Sequence, residues 1–522
     1  MLAALLLSAA SLLSIAAAQE SGGRLVLARP DPPSILDPHK TGESAADQIH
    51  VQLGGSLVTT EPGTLNIIPW LAESFEQSED GLTYTFQVRQ DVSFHNGDPL
   101  TAHDFKWTYE RALDPATQAS AARDMLSNVE SIEVNGEHEL VIRLSAPSAV
   151  FLRNLSSAGY LQPLSQRAVE EQGDAYGRNP VGVGPYRFKE WIAGYSITLE
   201  RNPDFAWPAS FYDNAGAAYP DEFEVRYIPE QGTIIAALET GEVDVVTVPA
   251  TDLFIFEDNP AFEINSILRN GIGMMFMFNL NDPLFEDIRV RQAFAHAVDR
   301  EFFVENALEG RGIVATSVLP PSLPGFDPAT EGTAIPYDPE AAAALLDEAG
   351  WTVSADGIRE RDGERLSVRI VAYTGDAIVR DSEIFQNQLR RIGADVTIEV
   401  YERALQTSML VDGDFHFAPI GWTYTDPDVL YLLYHSSQWP AGLNYGAVNN
   451  AELDAALESG RQIFVDEERM LAYHEAQRIY NENVLGIPLY VPEAFTVSNS
   501  RVGGLIFDLL GNMRFHDVWI GQ

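Results

Sequence analysis

The sequence predicts a mixed α/β protein, and three stretches carry that reading. "LSVRIVAY" (366–373) and "ADVTIEVY" (394–401) are apolar, β-branched runs of strand length. Between them Ile384, Phe385, Leu389 and Ile392 recur at helical spacing before a stop at Gly393. Strand, helix and strand at this spacing form a parallel crossover, because no tight turn can join parallel neighbours. "GLTYTFQVR" (81–89) alternates instead, with Tyr84, Phe86 and Val88 on one face, as a strand with one solvated side does.

Taken in chain order, the first element is "MLAALLLSAASLLSIAAAQ", uncharged and ending in Ala16-Ala17-Ala18, the small-residue pattern that signal peptidase reads. A permanent anchor needs a longer apolar run and flanking charges. Residues 1–18 are therefore expected to be a signal peptide. After the 81–89 strand, Asn96-Gly97 supplies a tight turn. In "TAHDFKWTYERALDP" (101–115), Thr101 and Asp104 form a capping-box-like start, and Phe105, Tyr109 and Ala112 make a buried stripe. Trp107 falls off that stripe, beside His103, Glu110 and Arg111. Its indole therefore needs a contact other than the core of its own domain, and a neighbouring loop or domain is the plain reading. "DIRVRQAFAHAVDR" (287–300) puts Val290, Phe294, Ala297 and Val298 on one helical stripe. "YDPEAAAALLDEAGW" (337–351) is a helix capped by Asp338, with Pro339 in its first turn and a stop at Gly350.

Composition narrows the function classes. A chain of 522 residues, 45% hydrophobic, has room for a large core in more than one domain. Thirty-three basic against seventy-six acidic residues give a formal charge of −43, which repels nucleic acid and anionic lipid alike. Lys40, Lys106 and Lys189 are the only lysines, so nearly all positive charge is arginine. Such a surface suits adaptation to high salt, and equally an ordinary acidic exported protein. The absence of cysteine excludes disulfides, thiolate metal sites, a cysteine nucleophile and a lipid on an N-terminal cysteine. No G-x-S-x-G elbow, H-E-x-x-H pair or G-K-[ST] phosphate loop is present, and the ten histidines are scattered. No enzyme activity, cofactor or metal site is expected.

A run of motifs resembles a known family. "ILDPHK" (35–40), "PWLAESFEQSEDGLTYTFQVRQDVSFHNGDPLTAHDF" (69–105), "NPVGVGPYRFKEW" (179–191), "ALETGEVDVV" (237–246) and "FNLNDPLFEDIRVRQAFAHAVDR" (278–300) occur in order, followed by the 337–351 helix. They look like successive signatures of the family 5 extracellular solute-binding proteins, the peptide- and nickel-type receptors of ABC importers.

The resemblance implies a two-lobed periplasmic binding protein of type II, cluster C-like, with an extra domain inserted in the first lobe and hinge closure on ligand. By that analogy residues 24–60, 181–275 and 490–522 build lobe I, 61–180 the extra domain and 276–489 lobe II. It further implies a periplasmic receptor, monomeric and not lipid-anchored, that delivers a small peptide or similar polar solute to an inner-membrane ABC permease. A metal chelate or sugar conjugate is the alternative ligand, and a secreted hydrolase the alternative class.

Site residues follow from the same resemblance. Trp107 aligns with an aromatic that reaches the cleft. Trp422, in "FAPIGWTYTDPDVLYLLY" (417–434), aligns with a ligand-contacting tryptophan. Peptide-binding relatives place an aspartate shortly after that tryptophan to hold the ligand's α-ammonium. Here Thr425 stands nearby, and Asp426 either substitutes or caps a helix beginning Asp426-Pro427-Asp428. Arg403 aligns near another cleft tryptophan and could take a ligand carboxylate or pair with a local acid. Tyr424 and Tyr445 are further wall candidates.

Signal cleavage is expected between Ala18 and Gln19. N-terminal sequencing of the exported protein should read Gln19 first, and a chain that keeps residues 1–18 refutes the expectation.

Overall fold

The 366–401 crossover forms as its pattern requires. Ser367–Tyr373 and Asp395–Tyr401 pair in parallel, Ser367 opposite Asp395 and Tyr373 opposite Tyr401. The helix Asp376–Arg391 between them buries Ile378, Phe385 and Leu389. This computed structural model describes residues 21–521 apart from 65, 441 and 509. The signal peptide expected at 1–18 thus lies outside the described residues.

The crossover sits at one edge of a twelve-stranded mixed sheet. One half of that sheet holds Asp395–Tyr401, Ser367–Tyr373, Phe417–Trp422 and Ile272–Phe278 in order. In the other half, Arg24–Arg29 lies parallel to both Glu222–Tyr227 and Val245–Val248, and Ser196–Arg201 and Tyr186–Ile192 complete the far edge. A single 14-residue strand, Gly486–Asn499, belongs to both halves. Its first part pairs with Met274–Met277 and its last part with Val245–Val248 and Phe262–Leu268. Each half carries its own core, so the mixed α/β fold is two-lobed. Phe276, Phe294, Phe385 and Phe417 are central to one core, and Leu25, Leu27, Phe223 and Val245 to another.

A separate four-stranded antiparallel sheet contains the alternating strand Thr83–Val88, whose Tyr84, Phe86 and Val88 are buried. Helix Ala102–Leu113 packs on it through Phe105, Tyr109 and Ala112. Its capping box between Thr101 and Asp104 is formed. The opposite face of this helix is also covered. Arg111 makes two hydrogen bonds to the Asp37 carboxylate, at 3.1 and 2.7 Å, and a third to His39 Nδ1 at 2.8 Å. Burial, then the Arg111 charge, push His39 down to about 3, so the ring accepts from Arg111 as a neutral imidazole. "ILDPHK" is thus a strap between the first lobe and this helix.

The 287–300 stripe is not one helix. Ile288–His296 ends at Ala297, and Asp299 caps a second helix, Arg300–Ala307, by accepting from Phe302 N at 3.0 Å. An acid able to cap interrupts the helix where the stripe alone would continue it. Ala297 and Val298 remain buried at the corner. The 339–348 helix starts as read, Asp338 accepting from Ala341 N at 2.9 Å.

The ring of Phe385 stacks on Phe276 at 3.8 Å between centroids and meets Phe417 edge-on at 5.1 Å. Phe385→Ala removes a fully buried ring from the junction of helix and sheet and should cost about 3–5 kcal/mol. Urea unfolding of the two proteins checks this, and a difference below about 1 kcal/mol would show that the site collapses around the gap.

Candidate ligand-binding cavity

A cavity of about 860 Å³ opens between the two halves of the sheet. Arg29, where the first strand ends, and Asp47, on helix Ser44–Leu53, stand on one side of it. Trp422, Tyr424 and Asp426, which follow the Phe417–Trp422 strand, stand on the other. Helix Phe151–Leu155 contributes Arg153. Arg269 and Asn270 come from the crossing between Phe262–Leu268 and Ile272–Phe278. Gly271 in that crossing has φ +107, and a Cβ there would run into the backbone of Trp422 and Thr423. A glycine is what lets the crossing lie against the strand end that presents the indole.

Four arginines (Arg29, Arg153, Arg269, Arg514) and five acids (Asp47, Glu61, Asp124, Asp426, Asp508) line the wall. That near balance contrasts with a chain carrying more than twice as many acids as bases. The wall therefore suits a ligand bearing both signs of charge, or a neutral polar one, better than a simple cation.

Most of these charges are already engaged. Asp426 is 2% exposed and accepts from Arg469 Nη1 at 3.0 Å, from Arg469 Nη2 and from Asp428 N at 2.9 Å, with Arg153 Nε 2.8 Å away. Burial alone would raise this carboxyl, but Arg469 and then Arg153 hold it below the ordinary carboxylate range. Arg153 stands on helix Phe151–Leu155 and Arg469 on helix Asp466–Asn483, so Asp426 ties the two helices together. The tie is doubled nearby, where Ala149 N donates to Arg461 O at 3.1 Å and Arg461 pairs with Asp428 at 3.2 Å. Asp508 is held within its own loop by Leu510 N and Asn512 N, both at 2.9 Å.

The structure brings Trp422, Tyr424 and Asp426 together at the cavity and separates the other three candidates from it. Trp107 does not line the cavity. Its indole packs half-buried on Leu164, Ala168 and Tyr176, the neighbouring-segment alternative. Arg403 is exposed at the first turn of helix Arg403–Val411, stacked over the Tyr373 ring at 4.1 Å. Tyr445 is partly buried against the same apolar cluster as Trp422 and Tyr424 but does not line the cavity, and its phenol is raised by burial and eased by the Arg403 charge. The Asp426 carboxylate accepts from the Asp428 amide, the local turn expected of a helix start, but the helix itself begins at Val429.

Sequence reasoning did not single out Arg29, Asp47, Arg153 or Asn270. Helix Ser44–Leu53 carried one usable signal. Its Asp47, Gln48, His50 and Gln52 interrupt the apolar positions all round the helix and are nonetheless buried. Polar residues inside need partners, which marks the segment as more than scaffold.

Asp428 is driven up to about 7 by burial, partly offset by Arg461 and reinforced by the Asp426 charge. Its ordinary value is 3.8, so between about pH 4 and 7 the folded chain keeps a proton that the unfolded chain has released. This group's contribution to stability is complete below pH 4 and is lost as pH rises through 7. Asp428→Asn, which cannot ionise, should therefore lose less stability than wild type between pH 4 and pH 7. Melting curves across that range decide, and parallel profiles would refute the assignment.

Residues 66–441 match the family of bacterial extracellular solute-binding proteins, family 5. The oligopeptide-binding protein AppA of Bacillus subtilis is 29% identical over 475 residues, covering 89% of this chain and 84% of AppA. HbpA2 from Haemophilus parasuis superposes with a TM-score of 0.84 at 26% identity, over 96% of this chain and all of that one. NikA from Brucella suis, solved in complex with Fe(III)-EDTA, gives 0.84 at 25% identity, over 95% of this chain and all of NikA. Among the described residues no helix is long and apolar enough to cross a membrane. The fold is that of the periplasmic binding proteins, and the chain belongs to the family 5 extracellular solute-binding proteins, the non-enzymatic receptors of ABC importers.

Proposed function

We propose that the protein captures a small peptide or peptide-like polar solute between its lobes and hands it to an inner-membrane ABC permease. The observation that carries this reading is the cavity itself. It opens between the halves of the sheet, offers an indole for stacking, and has a wall of nearly balanced charge. Arg29 makes no side-chain hydrogen bond among the described residues. Burial lowers its pKa while Tyr227, Asp31 and Asp47 raise it, so a cation stands ready for an anionic group. AppA, described as an oligopeptide-binding protein, supports the same ligand class.

The proposal includes export with removal of residues 1–18, no lipid anchor, and a monomer in the periplasm. It also assigns 24–60, 181–275 and 490–522 to lobe I, 61–180 to an extra domain and 276–489 to lobe II. Trp422 and Tyr424 form the ligand wall on the lobe II side, and Asp426 organises that wall through Arg469 and Arg153. A metal chelate is the second reading, favoured by the four cavity arginines and by the chelate complex of NikA.

Native mass spectrometry of ligand retained on the purified protein tests the class directly, and calorimetry with that ligand tests the wall. Trp422→Ala should weaken binding by about 2 kcal/mol or more, roughly thirtyfold. Arg403→Ala, an exposed residue, should cost under about 1 kcal/mol. A retained chelate would overturn the peptide reading, and undiminished affinity in Trp422→Ala would displace the wall.

A further inference from the structure

Helix Ser44–Leu53 is held in the first lobe by its own polar side chains. Gln48 clamps Met513, donating to its carbonyl at 2.6 Å and accepting from its amide at 3.0 Å. Gln52 donates to the same carbonyl at 2.7 Å and accepts from Phe515 N at 3.1 Å. His50 Nε2 lies 3.2 Å from Leu36 O. Asp47 is the exception. It is 8% exposed, it lines the cavity, and neither carboxylate oxygen accepts a hydrogen bond among the described residues.

Its surroundings do not make up the deficit. The nearest basic atom is His50 Nδ1, at 3.9 Å from Oδ1, beyond hydrogen-bond reach. The other ring nitrogen, Nε2, is the one engaged, donating to Leu36 O. Arg29 attracts Asp47 electrostatically without bonding to it. Gly159 packs so closely against Oδ1 that an added Cβ would lie 2.6 Å from it, which leaves Oδ2 as the oxygen available to the cavity. A buried carboxylate left without a donor is costly unless something else supplies one.

The other acids of the wall are less available. Asp426 is taken by Arg469 and Arg153, and Asp508 by its own loop. Glu61 accepts from Thr64 and Asn66 in a local turn, and Asp124 is exposed, where water screens it. We propose that Asp47 receives the ligand's ammonium group, so that the cation subsite lies on the first lobe. This rests on the peptide-type ligand proposed above. Oδ2 is the oxygen that meets the ammonium, and Arg29 stands on the same wall for an anionic group.

The test titrates mature protein, freed of retained ligand, with alanine peptides of two to five residues and with their N-acetylated forms. Acetylation removes the ammonium and should weaken binding at least about thirtyfold. Asp47→Asn should weaken the free peptides by a similar factor and leave the acetylated ones bound as by wild type, which also shows that the variant is folded. The two losses should not add, because both remove the same pair. Equal binding of free and acetylated peptides by wild type overturns the Asp47 assignment, needs no variant, and leaves the receptor reading standing. Free-peptide affinity unchanged in a folded Asp47→Asn also overturns it. Failure of wild type to bind any free peptide overturns both.

Discussion

The strand Gly486–Asn499 is hydrogen-bonded near its start to Met274–Met277 and near its end to Val245–Val248, so one extended segment belongs to the sheets of both lobes. At about 3.3 Å per residue it is long enough to leave one core and enter the other. Its interior is buried for most of its length, which removes the usual need for alternation and fixes it against both cores. The 269–271 crossing runs beside it, Arg269 N donating to Pro492 O at 3.1 Å. Whatever distance separates the walls of the cavity is set across these two neighbouring segments. They also place Trp422, whose strand partner is Ile272, where its side chain packs on the edge of a core and lines the cavity.

The second constraint is electrostatic. In a chain so rich in carboxylates, three of the five acids in the cavity wall are committed to partners within the chain. Arg469 and Arg153 neutralise Asp426 where burial would otherwise force a proton onto it, and backbone amides hold Asp508. Asp47 is left with no donor, on a helix whose two glutamines are matched to the 513–515 segment.

Patterns with a fixed period were legible in the sequence. The parallel crossover of 367–401, the alternating strand 83–88 and the caps at Thr101 and Asp338 depend on neighbours within a few residues and formed as read. The break at Asp299 was not seen, because the apolar stripe through Val298 continues past a residue that competes as a cap. Trp107 was legible as an oddity only. Its partners, Leu164, Ala168 and Tyr176, lie more than fifty residues away and share no periodicity with it.

The amino-acid sequence by itself determined the α/β class, the absence of any thiol chemistry and, through ordered motifs, the family. It also placed Trp422 and Tyr424 in the segment that reaches the cavity. Only the tertiary structure decided that Asp426 is spent on Arg469 and Arg153, that Arg403 stacks outside on Tyr373, and that Arg29 and Asp47 line the cavity. The physical reason is range. Turns, caps and periodicity act between residues a few positions apart, whereas the pairing of a charge is settled by groups brought close from distant parts of the chain.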